Sequence, residues 1–121
     1  MVGNAVWFEI PTSDFDRAVK FYEAVFQVTL RREKIGGDLA VFPGDESAVT
    51  GALVSQEGYV PAISGAVVYL SAGDDLSPTL ARATAQGGKV VVPKTALPPG
   101  MGHYAHFEDC EGNRVGLHSE N

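Results

Sequence analysis

Phe15, Ala18, Val19, Tyr22 and Phe26 recur at the spacing of one helical face, which predicts a helix over 14–26. Ser13 as its N-cap, with Asp16 three residues on, has the form of a capping box in which Asp stands for the usual Glu or Gln. A second helix is expected over 76–86, with Pro78 in the first turn, Leu80 and Ala83 on the inner face, and Gly87-Gly88 as its left-handed stop. Around each helix, short β-rich runs are parted by Gly, Pro and Asp. They predict strands over 6–10, 28–32, 39–42 and 49–54 in the first half, and over 66–70, 89–92, 103–107 and 114–118 in the second. Phe15 laid on Leu76 and Val19 on Leu80 superposes the halves at an offset of 61 residues, so the chain reads as β-α-β-β-β written twice, in modules of about 1–60 and 61–121. A ferredoxin-like order has one strand fewer after each helix and fits less well. The expected class is α+β: two tandem βαβββ modules forming a curved mixed sheet around a cavity.

Alternation along the strands assigns their faces. Val6, Phe8 and Ile10 form one apolar set, leaving Trp7 and Glu9 opposite; Val115 and Leu117 form another, leaving Arg114, Gly116 and His118 opposite. A helix covers only one face of each half-sheet, so the other face must meet solvent or curl around a cavity. Trp7, Glu9, Tyr69, Tyr104, His106 and Arg114 fall on those faces, and a few polar groups among aromatics describe a small-molecule site.

The 121 residues, 45% hydrophobic and 20% charged, make a single globular domain. The formal net charge of −6 repels phosphate backbones and anionic lipid, so neither nucleic acid nor membrane is an expected partner. The lone Cys110 excludes an intrachain disulfide and a cysteine-based zinc cluster. With no basic n-region before an apolar stretch and no apolar run long enough to span a bilayer, the expected address is cytoplasmic.

The string Phe8-Glu9-Ile10-Pro11, the helix segments Asp14-Phe15-Asp16-Arg17-Ala18 and Phe21-Tyr22-Glu23-Ala24-Val25-Phe26, and the closing Asp109-Cys110-Glu111-Gly112-Asn113-Arg114-Val115-Gly116-Leu117 resemble the vicinal oxygen chelate superfamily. That superfamily contains glyoxalase I, bleomycin-resistance proteins and extradiol dioxygenases, and the resemblance spans nearly the whole chain. Cys110 stands where the pattern usually has proline. The resemblance implies a divalent metal held by His and Glu on inward strand faces. The corresponding positions here read Trp7 (or Ala5), Leu53, Val67 and Gly116, none of which can ligate, so no metal and no other cofactor is expected.

Glu9 and His106 are the catalytic candidates, Glu9 as a general base or ligand anchor and His106 as a polar group of the pocket wall. The bland alternatives are an ion pair of Glu9 with Arg114 or a lysine, and simple packing of His106. Glu9, His106 and His118 also admit a relocated metal site. Trp7, Tyr69, Met101, Tyr104 and Arg114 are the ligand-binding candidates. Arg114 suits a ligand carboxylate or a salt bridge to Glu108 or Glu111, and Met101 sits in the connection 93–102, which has the length of a lid. His103 reads as a mouth residue. Cys110, between two carboxylates, is disfavoured as a thiolate nucleophile. The expected function is binding, with or without transforming, a small organic molecule without the usual metal, in a homodimer. The alternatives are a metal-dependent lyase, isomerase or dioxygenase with displaced ligands, and a binding-only sequestration protein of bleomycin-resistance type.

Overall fold

Asp14, and not Ser13, caps the first helix: its backbone is extended and its carboxylate accepts from the Arg17 N–H at 3.2 Å. In the computed structural model, which describes residues 2–45 and 47–121, the elements run β1 (Trp7–Pro11), α1 (Phe15–Phe26), β2 (Arg31–Lys34), β3 (Asp38–Val41) and β4 (Thr50–Ser55), then β5 (Val68–Ser71), α2 (Ser77–Ala85), β6 (Lys89–Ala96), β7 (His103–Glu108) and β8 (Arg114–Ser119). The twofold βαβββ order is present.

β2 and β6 depart furthest from the expected bounds, each for a local reason. After α1 the chain leaves through Gln27 in the left-handed region, and Glu23 holds it there by accepting from the Val28 and Leu30 amides through its carbonyl and its carboxylate. Leu30 is buried in this exit, so β2 begins only at Arg31. β6 runs on through Pro93 to Ala96 because it is an edge strand, where a missing N–H leaves no ladder bond unmade. Its register on β7 shifts twice in this stretch, and the lid-length connection shrinks to 97–102.

The sheets are ordered β1-β4-β3-β2 and β5-β8-β7-β6, with the first strand of each module parallel to its last and the other pairings antiparallel. Each βαβββ module thus forms one four-stranded mixed sheet. The two sheets share one core. Ile10, Ala40 and Leu53 from the first sheet meet Ala105, Phe107, Val115 and Leu117 from the second around both helices. The stripe that α1 buries is accordingly wider than its predicted face: Phe21 packs on Phe107 of the second sheet while Tyr22 packs edge-on against Phe42 of the first module. With the inner faces of both sheets committed to this core, their other faces look away from it. Val6 lies outside β1 and is 82% exposed, so only Phe8 and Ile10 of its expected apolar set face inward.

The hairpin 109–113 clamps the second module onto the first. Both Glu111 carboxylate oxygens are engaged: Oε1 accepts from the Ser13 and Asp14 amides, and Oε2 from the Ser13 hydroxyl and the Arg17 guanidinium. Burial pushes this carboxyl up, but the donors from Ser13, Asp14 and Arg17 outweigh it and leave the group below its ordinary value. Asp109 accepts from the buried Tyr22 hydroxyl at 2.6 Å, and the Asn113 amide donates to the Pro11 carbonyl at 2.8 Å. Ser13, expected to cap α1, is instead the contact through which Glu111 holds that helix.

Candidate functional site

On the outer face of the second sheet, register places Tyr69 beside Gly116 and Gly116 beside His106, while Tyr104 pairs with His118 and Val92 with His106. The Tyr69 ring lies flat across Gly116, where an added Cβ would come 2.5 Å from Tyr69 Cδ2, so only glycine leaves room for it. Tyr69, Tyr104, His106 and Arg114 thus meet in one cleft of about 490 Å3, completed by Val92, Leu97 and His118. Both tyrosine rings stand edge-on to the His106 imidazole, at 5.2 and 5.7 Å between centroids.

Three polar side chains are linked in series. Arg114 Nε donates to His106 Nδ1 at 2.9 Å, and His106 Nε2 lies 2.6 Å from the Tyr69 hydroxyl. A guanidinium can only donate, so Nδ1 must be unprotonated and a neutral His106 carries its proton on Nε2. The one lone pair of the ring is taken by Arg114, which leaves His106 no free basic nitrogen.

His106 is 8% exposed; burial first, and the Arg114 charge second, hold its pKa below the ordinary 6.5. The unfolded chain binds the proton more readily, so this group's contribution to stability is complete above 6.5 and is lost as the pH falls toward its folded value. Part of the loss in thermal midpoint between about pH 7.5 and 5.5 should therefore disappear in His106→Gln, since His103 and His118 are common to both proteins. Equal pH slopes in melting curves of the two proteins would refute this.

Arg114 makes none of the salt bridges weighed for it. Glu108, its cross-strand neighbour, lies 4.0 Å from Lys89, and Glu111 is bound to Arg17. Among the described residues no carboxylate pairs with Arg114.

Trp7 and Glu9 stand on the outer face of the other sheet, and no hydrogen bond, ring contact or cavity lining among the described residues joins them to the cleft. Glu9 is exposed and accepts from Trp7 Nε1 at 3.3 Å and from the Tyr59 hydroxyl at 2.9 Å, pairing with neither Arg114 nor a lysine. Sequence reasoning missed Tyr59, which lies outside every predicted strand and carries no periodic signal. Val92 was hidden by the bulged register of β6.

Met101 is 57% exposed in the 97–102 turn, which is pinned by Leu97 N–H to Gly102 O and by His118 Nε2–H to Met101 O at 2.7 Å. It lines a neighbouring recess with Pro98 and Pro99. His103 borders that recess, and its Nδ1 is buried without a partner. Cys110 is pushed up to about 11, by burial and then by Asp109, which removes it as a nucleophile. A recess of about 820 Å3 beside the start of α1 is a charged surface whose groups already satisfy one another through Arg32–Asp16 and Lys34–Asp38.

The residues present do not fit the divalent metal that the resemblance implies. Leu53 points into the core, Trp7 stands on one outer face, and Gly116 lies beneath the Tyr69 ring on the other. The relocated set fails too, because Glu9 is on a different sheet from His106 and His118. Among the described residues no three His, Cys, Asp or Glu side chains converge.

The sequence model of the Glyoxalase/Bleomycin resistance protein/Dioxygenase superfamily matches residues 4–117. A glyoxylase-like domain-containing protein of Didymella fabae is 30% identical over 116 residues, covering 92% of this chain and 89% of that protein. Among solved structures, glyoxalase I from Zea mays superposes with a TM-score of 0.72 at 19% identity, over 94% of this chain and 43% of the maize chain. An antibiotic binding protein from Streptomyces superposes with a TM-score of 0.62 at 24% identity, over 99% of this chain and 98% of its own. At these identities the structural likenesses are likenesses of fold.

Proposed function

The chain belongs to the glyoxalase/bleomycin resistance protein/dioxygenase superfamily, and on that footing we propose that it binds a small organic molecule in the Tyr69–Tyr104–His106–Arg114 cleft. The observation that carries this reading is the convergence of three linked polar side chains, one of them the Arg114 guanidinium without a carboxylate partner, in a recess otherwise lined by Tyr104, Val92, Leu97 and His118. Binding is favoured over turnover. His106 has no free lone pair, Glu9 lies on the other sheet, and the ligand positions of the metal enzymes are not donors. The Streptomyces relative in fold is itself an antibiotic binding protein, which is the kind of role this cleft suits.

The homodimer expected from the sequence gives Trp7 a place in this reading. Two outer faces that look away from a shared core leave Trp7 43% and Tyr69 51% exposed. In a pair of copies related by twofold symmetry, exposed outer-face aromatics such as Trp7 are buried between the copies. No helix among the described residues is long and apolar enough to cross a membrane, and the protein is read as cytoplasmic with no nucleic-acid partner.

Native mass spectrometry of protein purified without chelators tests both parts at once. The expected species has twice the 12.8 kDa chain mass and carries an organic ligand that is lost in Arg114→Ala. A monomer at micromolar concentration overturns the dimer. A tightly held divalent metal at one per chain overturns the metal-free site.

A further inference from the structure

We infer that the series Arg114, His106, Tyr69 is a one-way hydrogen-bond relay that makes the Tyr69 hydroxyl an obligatory donor into the cleft, and that the ligand it serves is an aromatic molecule bearing an oxyanion such as a carboxylate. The inference rests on the small-molecule reading above and supplies the ligand's chemical class. Each direction in the relay follows from the one before. Arg114 Nε–H has no lone pair and must donate, so His106 Nδ1 accepts. The imidazole proton then sits on Nε2 and is given to the Tyr69 oxygen 2.6 Å away. An oxygen that accepts there turns its own O–H elsewhere, and among the described residues no protein acceptor takes it. Each bond in such a chain polarises the next, which sharpens the terminal O–H as a donor.

The surroundings select the acceptor. The guanidinium of Arg114 brings a permanent charge with no carboxylate partner, and no Asp or Glu lines the cleft. His118, at the rim, spends its Nε2–H on the Met101 carbonyl and is fixed in place. An unpaired cation beside a free O–H is costly to keep half-buried and is compensated when an anion enters. The tyrosine rings with Val92 and Leu97 provide a flat apolar wall for the body that carries it. A cationic ligand finds like charge and no acceptor.

The test uses the intact chain and three probes that share one ring system: naphthoate, naphthylmethylammonium and naphthalenemethanol. NMR with isotope-labelled histidine should show His106 as the Nε2–H tautomer. Titrations should show naphthoate binding at least about tenfold more tightly than the ammonium probe, with Tyr69→Phe removing about tenfold from naphthoate and nothing from the ammonium, the worth of one hydrogen bond to a charged group. An Nδ1–H tautomer, equal affinity for the carboxylate and the ammonium, or an equal loss for both probes in Tyr69→Phe overturns the relay and its ligand class while leaving a small-molecule site in place. Absence of cleft shift changes with all three probes overturns the proposed function as well.

Discussion

Replacing Glu111 by alanine should lower stability by about 3 kcal/mol, the scale of removing a buried carboxylate that accepts several hydrogen bonds, two of them from backbone amides. The Glu111 side chain is 0% exposed and takes four donors, two of them backbone amides at the start of α1. Truncation leaves the Ser13 and Asp14 amides and the Arg17 charge without their acceptor. It also loosens the 109–113 hairpin, whose Asp109 and Asn113 hold Tyr22 and Pro11. For a domain of this size the thermal midpoint should fall by roughly 10 °C. Because the folded carboxyl lies below its ordinary value, its contribution is complete above the unfolded value and vanishes as the pH drops through the folded one. Wild-type and Glu111→Ala melting curves should therefore converge in acid. A midpoint within about 1 °C of wild type at neutral pH would show that the clamp carries no stability.

The second large effect is expected at Gly51. Its φ is unexceptional, and what demands glycine is the neighbour: β1 runs parallel to β4 with Phe8 opposite Gly51. A Cβ there would overlap the Phe8 carbonyl and come within 2.5 Å of Phe8 Cγ. A backbone atom cannot swing aside as a side chain does, so Gly51→Ala must push β1 away from β4. The expected loss is roughly 3 kcal/mol, at the upper end for overpacking. Trp7, adjacent to Phe8 in β1, hydrogen-bonded to Glu9 and the only tryptophan, reports the shift. Its emission should change as the bond to Glu9 is lost, and an unchanged spectrum with an unchanged midpoint would remove the argument for close approach.

Outer-face membership of Tyr69, Tyr104, His106 and Arg114 was legible because strand alternation has a period of two and needs no tertiary information. The clamp was visible only as a string of residues. Nothing in the spacing of Asp109, Glu111 and Asn113 says that they close on Tyr22, Ser13 and Pro11, about a hundred residues away in the chain for the last two. The N-cap was misassigned for the same reason, since Ser13 and Asp14 are both good capping residues and the choice between them was made by Glu111 occupying Ser13.

What the sequence determined by itself is the local order: two helices with readable apolar faces, eight strands, a twofold βαβββ repeat, and the side of each strand on which its polar and aromatic residues stand. These follow from near-neighbour periodicity. What only the tertiary structure decided is how the two halves share space. Whether the outer faces close on one cavity or look apart depends on where α1 buries Phe21 as well as Tyr22, and that packing separates Trp7 and Glu9 from the cleft within one chain. The hydrogen-bond direction through His106 was likewise set in space, because a histidine's tautomer is fixed by the partner of its other nitrogen, and Arg114 reaches it only across the β7–β8 ladder.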